Sequence, residues 1–178
     1  QIHQELGISG ERYAVLTLHR PSNVDDKSAF IRIIDALEEI GERITIVFPL
    51  HPRTKNRAEE FGLTERIERI PNIVMTGPAG YLDFIALMAG ARLILTDSGG
   101  LQEESTALGI PCLTLRENTE RPVTVTEGTN TIVGNDTQVI IDAAMDVLDT
   151  GGKSGRVPDL WDGNTAQRIA NLIEEIIR

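Results

Sequence analysis

The stretch "LILTDSGGLQEES", Leu93 to Ser105, runs an uninterrupted apolar strand into an aspartate, a serine and two glycines, then into a segment with two adjacent glutamates. A strand that is apolar at every position is one covered on both faces, as in parallel sheets flanked by helices. Working outward, "ITIVF" (44–48) has the same character, and β-branched runs recur at Tyr13–Leu18, Ile44–Phe48, Asn72–Thr76, Leu93–Thr96, Cys112–Leu115 and Thr131–Val133. Between them lie helical patterns at 27–40, 53–62, 81–90, 101–109 and 121–128, and two more follow at 138–149 and 164–178. In the last, Ile169, Leu172, Ile173 and Ile176 fall at helical spacing, and Asn164 with Gln167 predicts a capping box at its start. The Gly-rich segment 150–163 reads as a connection before that helix. Strict strand–helix alternation predicts an α/β protein: one doubly wound, mostly parallel sheet in a single domain over residues 1–178.

The composition narrows the function classes. A net charge of −10 argues against a general nucleic-acid binder, which shows a basic surface. It leaves room for a small anion held in one local pocket of Arg and His. No apolar run is long enough to span a membrane, and the start "QIHQELGISGERY" does not read as a signal peptide. One cysteine, Cys112, excludes an internal disulfide and suits a reducing cytoplasm; amid "GIPCLTL" it reads as a packed core thiol.

Open parallel sheets bind ligands at the carboxyl ends of their strands, where the strand order reverses. In the order 3-2-1-4-5-6 that crevice lies between strands one and four. Strand one ends in "LTLHRPSN", which brings His19 and Arg20 to the rim; strand four brings Asp97, Ser98, Gly99 and Gly100. The Rossmann dinucleotide fingerprint G-x-G-x-x-G is missing after strand one, where "HRPSNV" stands, which argues against NAD or FAD, and no other cofactor or metal is indicated. Two glycines by themselves make no more than a tight turn. Followed by a helix N-terminus, they also let phosphate oxygens approach main-chain N–H groups. Glu104, one turn further on, is favoured by the helix dipole but would repel a phosphate beside it. The conflict resolves if Glu104 accepts hydrogen bonds from a ribose diol while a diphosphate lies over the glycines. Glu103 reads as a helix-stabilising glutamate. In the loop "RENTERPVTVTEGTN", Arg121 could reach the diphosphate, although Arg116 and Arg121 fit a surface pair with a neighbouring glutamate equally well.

"TDSGGLQEES", "GIPCLTLRENTERPVTVTEGTN" and "LHRPSNVD" closely resemble the non-hydrolysing UDP-N-acetylglucosamine 2-epimerases, over about Tyr13 to the end. The resemblance implies one Rossmann-like half of a glycosyltransferase-B type two-domain fold, here the carboxyl-terminal half, with the amino-terminal domain absent. It implies an isomerase of the cytoplasm, serving polysaccharide biosynthesis, that interconverts UDP-N-acetylglucosamine and UDP-N-acetylmannosamine by eliminating and re-adding UDP. Full-length relatives are typically homodimers. Carried over residue by residue, Ser98, Gly99 and Gly100 hold the diphosphate, Glu104 the ribose and Arg121 the phosphates. His19 is the active-site histidine, and the main chain at Phe84 reads the uracil edge, while the Phe84 ring also fits a core position. Arg20 and His51 correspond to residues that contact a second, allosteric nucleotide-sugar; His51 before Pro52 fits a simple cap too. Ala79 replaces a glutamine that contacts the base in some relatives, which shifts base recognition towards main chain, and Leu160-Trp161 replaces a common Pro-Tyr. The carboxylates for proton transfer belong to the absent domain, so the chain alone is expected to bind UDP weakly and not to epimerise. The rival readings are the nucleotide half of a glycosyltransferase, a hydrolysing epimerase and a non-catalytic nucleotide-binding module. A serine hydrolase is set aside, since "TDSGG" does not make the G-x-S-x-G elbow.

Overall fold

The computed structural model of the protein describes residues 1–177. In chain order its elements are α1 (Ile2–Glu5), β1 (Tyr13–Thr17), α2 (Pro21–Val24), α3 (Lys27–Gly41), β2 (Thr45–Pro49), α4 (Pro52–Phe61), α5 (Thr64–Glu68) and β3 (Ile73–Thr76). Then come α6 (Tyr81–Gly90), β4 (Leu93–Thr96), α7 (Gly99–Leu108), β5 (Cys112–Thr114), α8 (Pro122–Thr126), β6 (Asn130–Ile132), α9 (Thr137–Thr150) and α10 (Thr165–Ile177). The six strands form one parallel sheet in the order β3-β2-β1-β4-β5-β6, as expected. The order reverses between β1 and β4, where Thr17 lies opposite Thr96.

Strand alternation sorts the core into two layers. Ala14, Leu16, Ile46, Phe48, Leu93, Leu95 and Leu113 join the buried faces of α3 and α9, including Phe30, Ile33, Ile34, Leu37 and Ile140. Tyr13, Val15, Val47, Ile94 and Cys112 turn the other way and pack with Leu87 and Met88 of α6 and with Ile8. Burial pushes the Cys112 thiol up to about 12, so it is an inert packed group at neutral pH.

The short helices α1, α2 and α5 were not expected. Only α2 bears on the site: Pro21 at its first position presets the dihedral, and its Asn23 is buried beneath the corner that follows β1. The capping box expected at α10 does not form. Gln167 donates to Asn171 instead, and the Asn164 amide donates to the Asp162 carbonyl. The apolar stripe of α10 is real but unburied: Ile169, Leu172, Ile173 and Ile176 are all exposed. Arg178, the end of the expected helix, lies outside the described residues. No helix among the described residues is long and apolar enough to cross a membrane.

Candidate active site

Two corners meet at the carboxyl end of the sheet. After β1 the chain turns through His19 and Arg20 around the carboxylate of Asp97, which is fully buried. Asp97 accepts the main-chain N–H of His19 (3.0 and 3.1 Å) and of Arg20 (2.9 Å), and the Asn23 amide (3.3 Å). Its Oδ1 lies 3.0 Å from His19 Nδ1. Asn23 also donates to the Leu115 carbonyl at 2.7 Å, which pins this corner to the end of β5. Arg20 Nε returns to the Asp97 carbonyl at 3.3 Å.

Beyond Asp97 the second corner, which leads from β4 into α7, is bare at its helix start. Asp26 caps α3 by accepting from the N–H groups of Ser28 and Ala29, and Asp136 caps α9 through Gln138 and Val139. Ser98 at the start of α7 makes no such bond, so the first N–H groups of α7 are left for an outside acceptor. The glycines are not there for the fold. Neither Gly99 nor Gly100 has a positive φ, a Cβ on Gly100 would meet nothing within 4 Å, and one on Gly99 only Glu120 Oε2 at 3.9 Å. Gly109 at the other end of the same helix is different: its φ of 70° is a left-handed cap that asks for glycine.

Between the corners lies a cavity of about 250 Å³ whose wall includes His19, His51, Ala79, Phe84, Ser98 and Leu101. Four expected site residues, His19, His51, Phe84 and Ser98, are thus brought together. His51 caps α4, its Nδ1 accepting the Arg53 N–H at 3.1 Å, and its ring lies 5.5 Å from that of His19. Phe84 is half-buried against the α6 layer of the core, and its main-chain N–H is bonded to the Gly80 carbonyl at 2.8 Å. That bond engages the Phe84 N–H within its own helix. Glu104 is half-buried one turn into α7; burial chiefly pushes its carboxyl up, the Tyr81 hydroxyl pulls it down and nearby Glu103 pushes it up again.

The loop after β5 is tied to α7 rather than spread over the surface. Buried Gln102 accepts from Thr119 Oγ1 and from Asn130 Nδ2 (3.2 Å), and Thr119 Oγ1 in turn accepts the Arg121 N–H at 2.9 Å. Both arginines of that loop are paired. Arg116 holds Glu120 at 2.8 Å, keeping that carboxyl down at about 2, and Arg121 Nε lies 3.0 Å from Glu103 Oε1. Sequence reasoning missed Asp97 as a hub, Gln102 as an anchor and the role of Glu103, which is a partner for Arg121 as well as a helix residue. The one sequence signal for Asp97 was a charged residue directly after a buried apolar strand.

The UDP-N-acetylglucosamine 2-epimerase family profile matches residues 1–174. The chain belongs to that family. It is 40% identical over 167 residues to the UDP-N-acetylglucosamine 2-epimerase of Methanococcus maripaludis, covering 92% of this chain and 44% of the relative. It is 39% identical over 174 residues to the UDP-2,3-diacetamido-2,3-dideoxy-D-glucuronate 2-epimerase of Pseudomonas aeruginosa, covering 94% and 46%. The crystal structure of the Methanocaldococcus jannaschii UDP-GlcNAc 2-epimerase in complex with UDP-GlcNAc and UDP superposes with a TM-score of 0.87 at 38% identity, over 98% of this chain and 48% of that one. The architecture is therefore the Rossmann-like half of the glycosyltransferase-B type, and the chain of this isomerase family spans about half the length of its relatives.

Proposed function

We propose that this chain is the UDP-binding half of an enzyme that interconverts UDP-N-acetylglucosamine and UDP-N-acetylmannosamine without net hydrolysis. The observation that carries this reading is the uncapped start of α7: two glycines that neither conformation nor packing requires, flanked by Ser98 and Leu101, which line a cavity together with His19. A diphosphate over Gly99 and Gly100 would take the free N–H groups and the Ser98 hydroxyl, with the helix dipole adding to both. Glu104 grips the ribose hydroxyls. Arg121 turns from Glu103 to the phosphates when they arrive. With the Phe84 N–H engaged, the uracil edge goes to the first-turn N–H groups of α6, and the Phe84 ring forms the wall.

The chemistry follows from charge. Breaking the anomeric bond develops negative charge on the departing diphosphate, and the α7 N–H groups, Arg121 and His19 stabilise it where it forms. UDP then re-adds to C1 on the face it left while a proton returns to C2 on the opposite face, so that C2 alone is inverted. The base that takes the C2 proton is supplied by the part of the relatives this chain does not span. Relatives of near-equal identity carry names with different sugars on the same UDP, which fits a half that recognises the nucleotide. Arg20 and His51 lie on the rim beside His19, where a second nucleotide-sugar could touch them and regulate the site. The full-length protein acts in the cytoplasm as a homodimer.

Calorimetric titration with UDP and UMP tests the binding role: UDP binds weakly and UMP more weakly still. Incubation with UDP-N-acetylglucosamine in D₂O tests the division of labour, since the chain alone should show no exchange at C2. No UDP binding, or C2 exchange by the chain alone, would overturn the reading.

A further inference from the structure

We propose that Asp97 is a positioning residue: it holds His19 in the tautomer with the ring proton on Nδ1 and so presents Nε2 to the ligand cavity. The functional half of this inference rests on the reading of His19 as the group beside the diphosphate. The pair itself stands on geometry. Asp97 Oδ2 is taken by the Arg20 N–H at 2.9 Å, the Asn23 amide at 3.3 Å and one branch of the His19 N–H at 3.0 Å. Oδ1 receives the other branch at 3.1 Å and faces His19 Nδ1 at 3.0 Å. With donors on every side the carboxylate only accepts, so the imidazole must turn an N–H toward it. The side chain of Asp97 is fully buried and that of His19 is 34% exposed, so the ring edge opposite Nδ1 is the one that looks out.

Two consequences follow for the reacting end of the ring. In either protonation state Nδ1–H stays on Asp97, and only Nε2 changes between acceptor and donor. A protonated ring also keeps a buried counter-charge, so it can face a diphosphate as a cation of fixed orientation. Asp97 is contributed by the same corner that supplies Ser98 and the glycines. One turn of chain therefore sets both the N–H groups under the phosphates and the direction of the histidine beside them.

Asp97→Asn separates geometry from tautomer. The asparagine oxygen must take the Oδ2 place, where Arg20 and Asn23 donate; its amide nitrogen then falls at Oδ1 and donates to Nδ1, driving the ring proton to Nε2. Long-range ¹H–¹⁵N spectra of the 178-residue chain read this directly, because it contains only three histidines, and His3→Gln and His51→Gln assign the other two. At alkaline pH the expected result is Nδ1–H for His19 in the parent chain and Nε2–H in D97N, with a loss of about tenfold in UDP affinity. An Nε2–H tautomer in the parent chain overturns the proposal, whether or not D97N folds. So does a folded D97N with the parent tautomer, or one that binds UDP as the parent does. If the parent chain shows the Nδ1–H form and yet binds no UDP, the pair stands and the UDP reading falls.

Discussion

The corners after β1 and after β4 face each other across one crevice and are built in opposite ways. The first is saturated: its two main-chain N–H groups, the Asn23 amide and the His19 imidazole all close on Asp97, which reaches across from the end of β4, and Asn23 ties the bundle to β5. Beyond Asp97 the second is bare, with an uncapped helix start and two glycines that touch almost nothing. A saturated corner fixes side chains in place; a bare one keeps its donors for something that is not part of the chain. Substitution should therefore affect folding at the first corner and binding at the second.

Asp97→Ala carries the largest expected effect. It leaves the N–H groups of His19 and Arg20 and the Asn23 amide without their buried acceptor, and should destabilise the chain by about 3 kcal/mol or more in urea unfolding. A loss under about 1 kcal/mol would mean that water replaces the carboxylate, and the contrast between the corners would dissolve. The double change Gly99→Ala and Gly100→Ala should do the reverse. A methyl at either place meets no clash, and alanine is the better helix former, so thermal stability should hold or rise. UDP affinity should fall by roughly a hundredfold, because the methyls stand where phosphate oxygens approach and two charge-assisted bonds are lost. Unchanged affinity by calorimetry would place the diphosphate elsewhere.

Much of this layout was legible in the sequence and some of it was not, for physical reasons. Apolar strands covered on both faces announce themselves residue by residue, and Leu93–Thr96 has the same bounds by either route. The helix at 138–149 was visible from its period, and its Asp136 cap is local. Asp97 was harder, because its partners lie 74 to 78 positions away in sequence and no local spacing encodes them. The Arg121–Glu103 pair hid for the same reason, since both residues suit solvent. α10 shows the other limit. Its apolar stripe was readable from spacing, but a stripe does not say what it packs against, and nothing among the described residues covers it.

Glu104→Gln tests the bare corner where binding and stability pull apart. Burial raises the folded carboxyl above its ordinary value, so Glu104 favours folding while protonated, and that contribution is lost as pH rises from the ordinary carboxylate range through the raised one. The glutamine variant should therefore be more stable than the parent at pH 7, and the advantage should vanish in acid below the ordinary carboxylate value. Its UDP affinity should drop about tenfold through the lost charged acceptor for the ribose diol. A variant that gains stability and keeps its affinity would remove Glu104 from the site and leave it a buried helix residue.

The smallest effect belongs to the ion pair that bridges the loop and the bare corner. Arg121 and Glu103 are 44% and 41% exposed, and a pair in that much solvent contributes only about 0.2–1 kcal/mol. Glu103 nevertheless competes with any phosphate for the same guanidinium, and its own charge lies one residue from Glu104. Glu103→Gln removes the competitor and leaves Arg121 held on α7 by the Thr119–Gln102 link to its main chain. UDP affinity should rise two- to threefold at low salt and lose the gain as added salt screens both charges. Weaker binding in the variant would mean that Glu103 touches the ligand or that its pairing aims Arg121 rather than restraining it. The double change with Arg121→Gln distinguishes these outcomes: if Arg121 is aimed by Glu103, the second substitution adds nothing to the first.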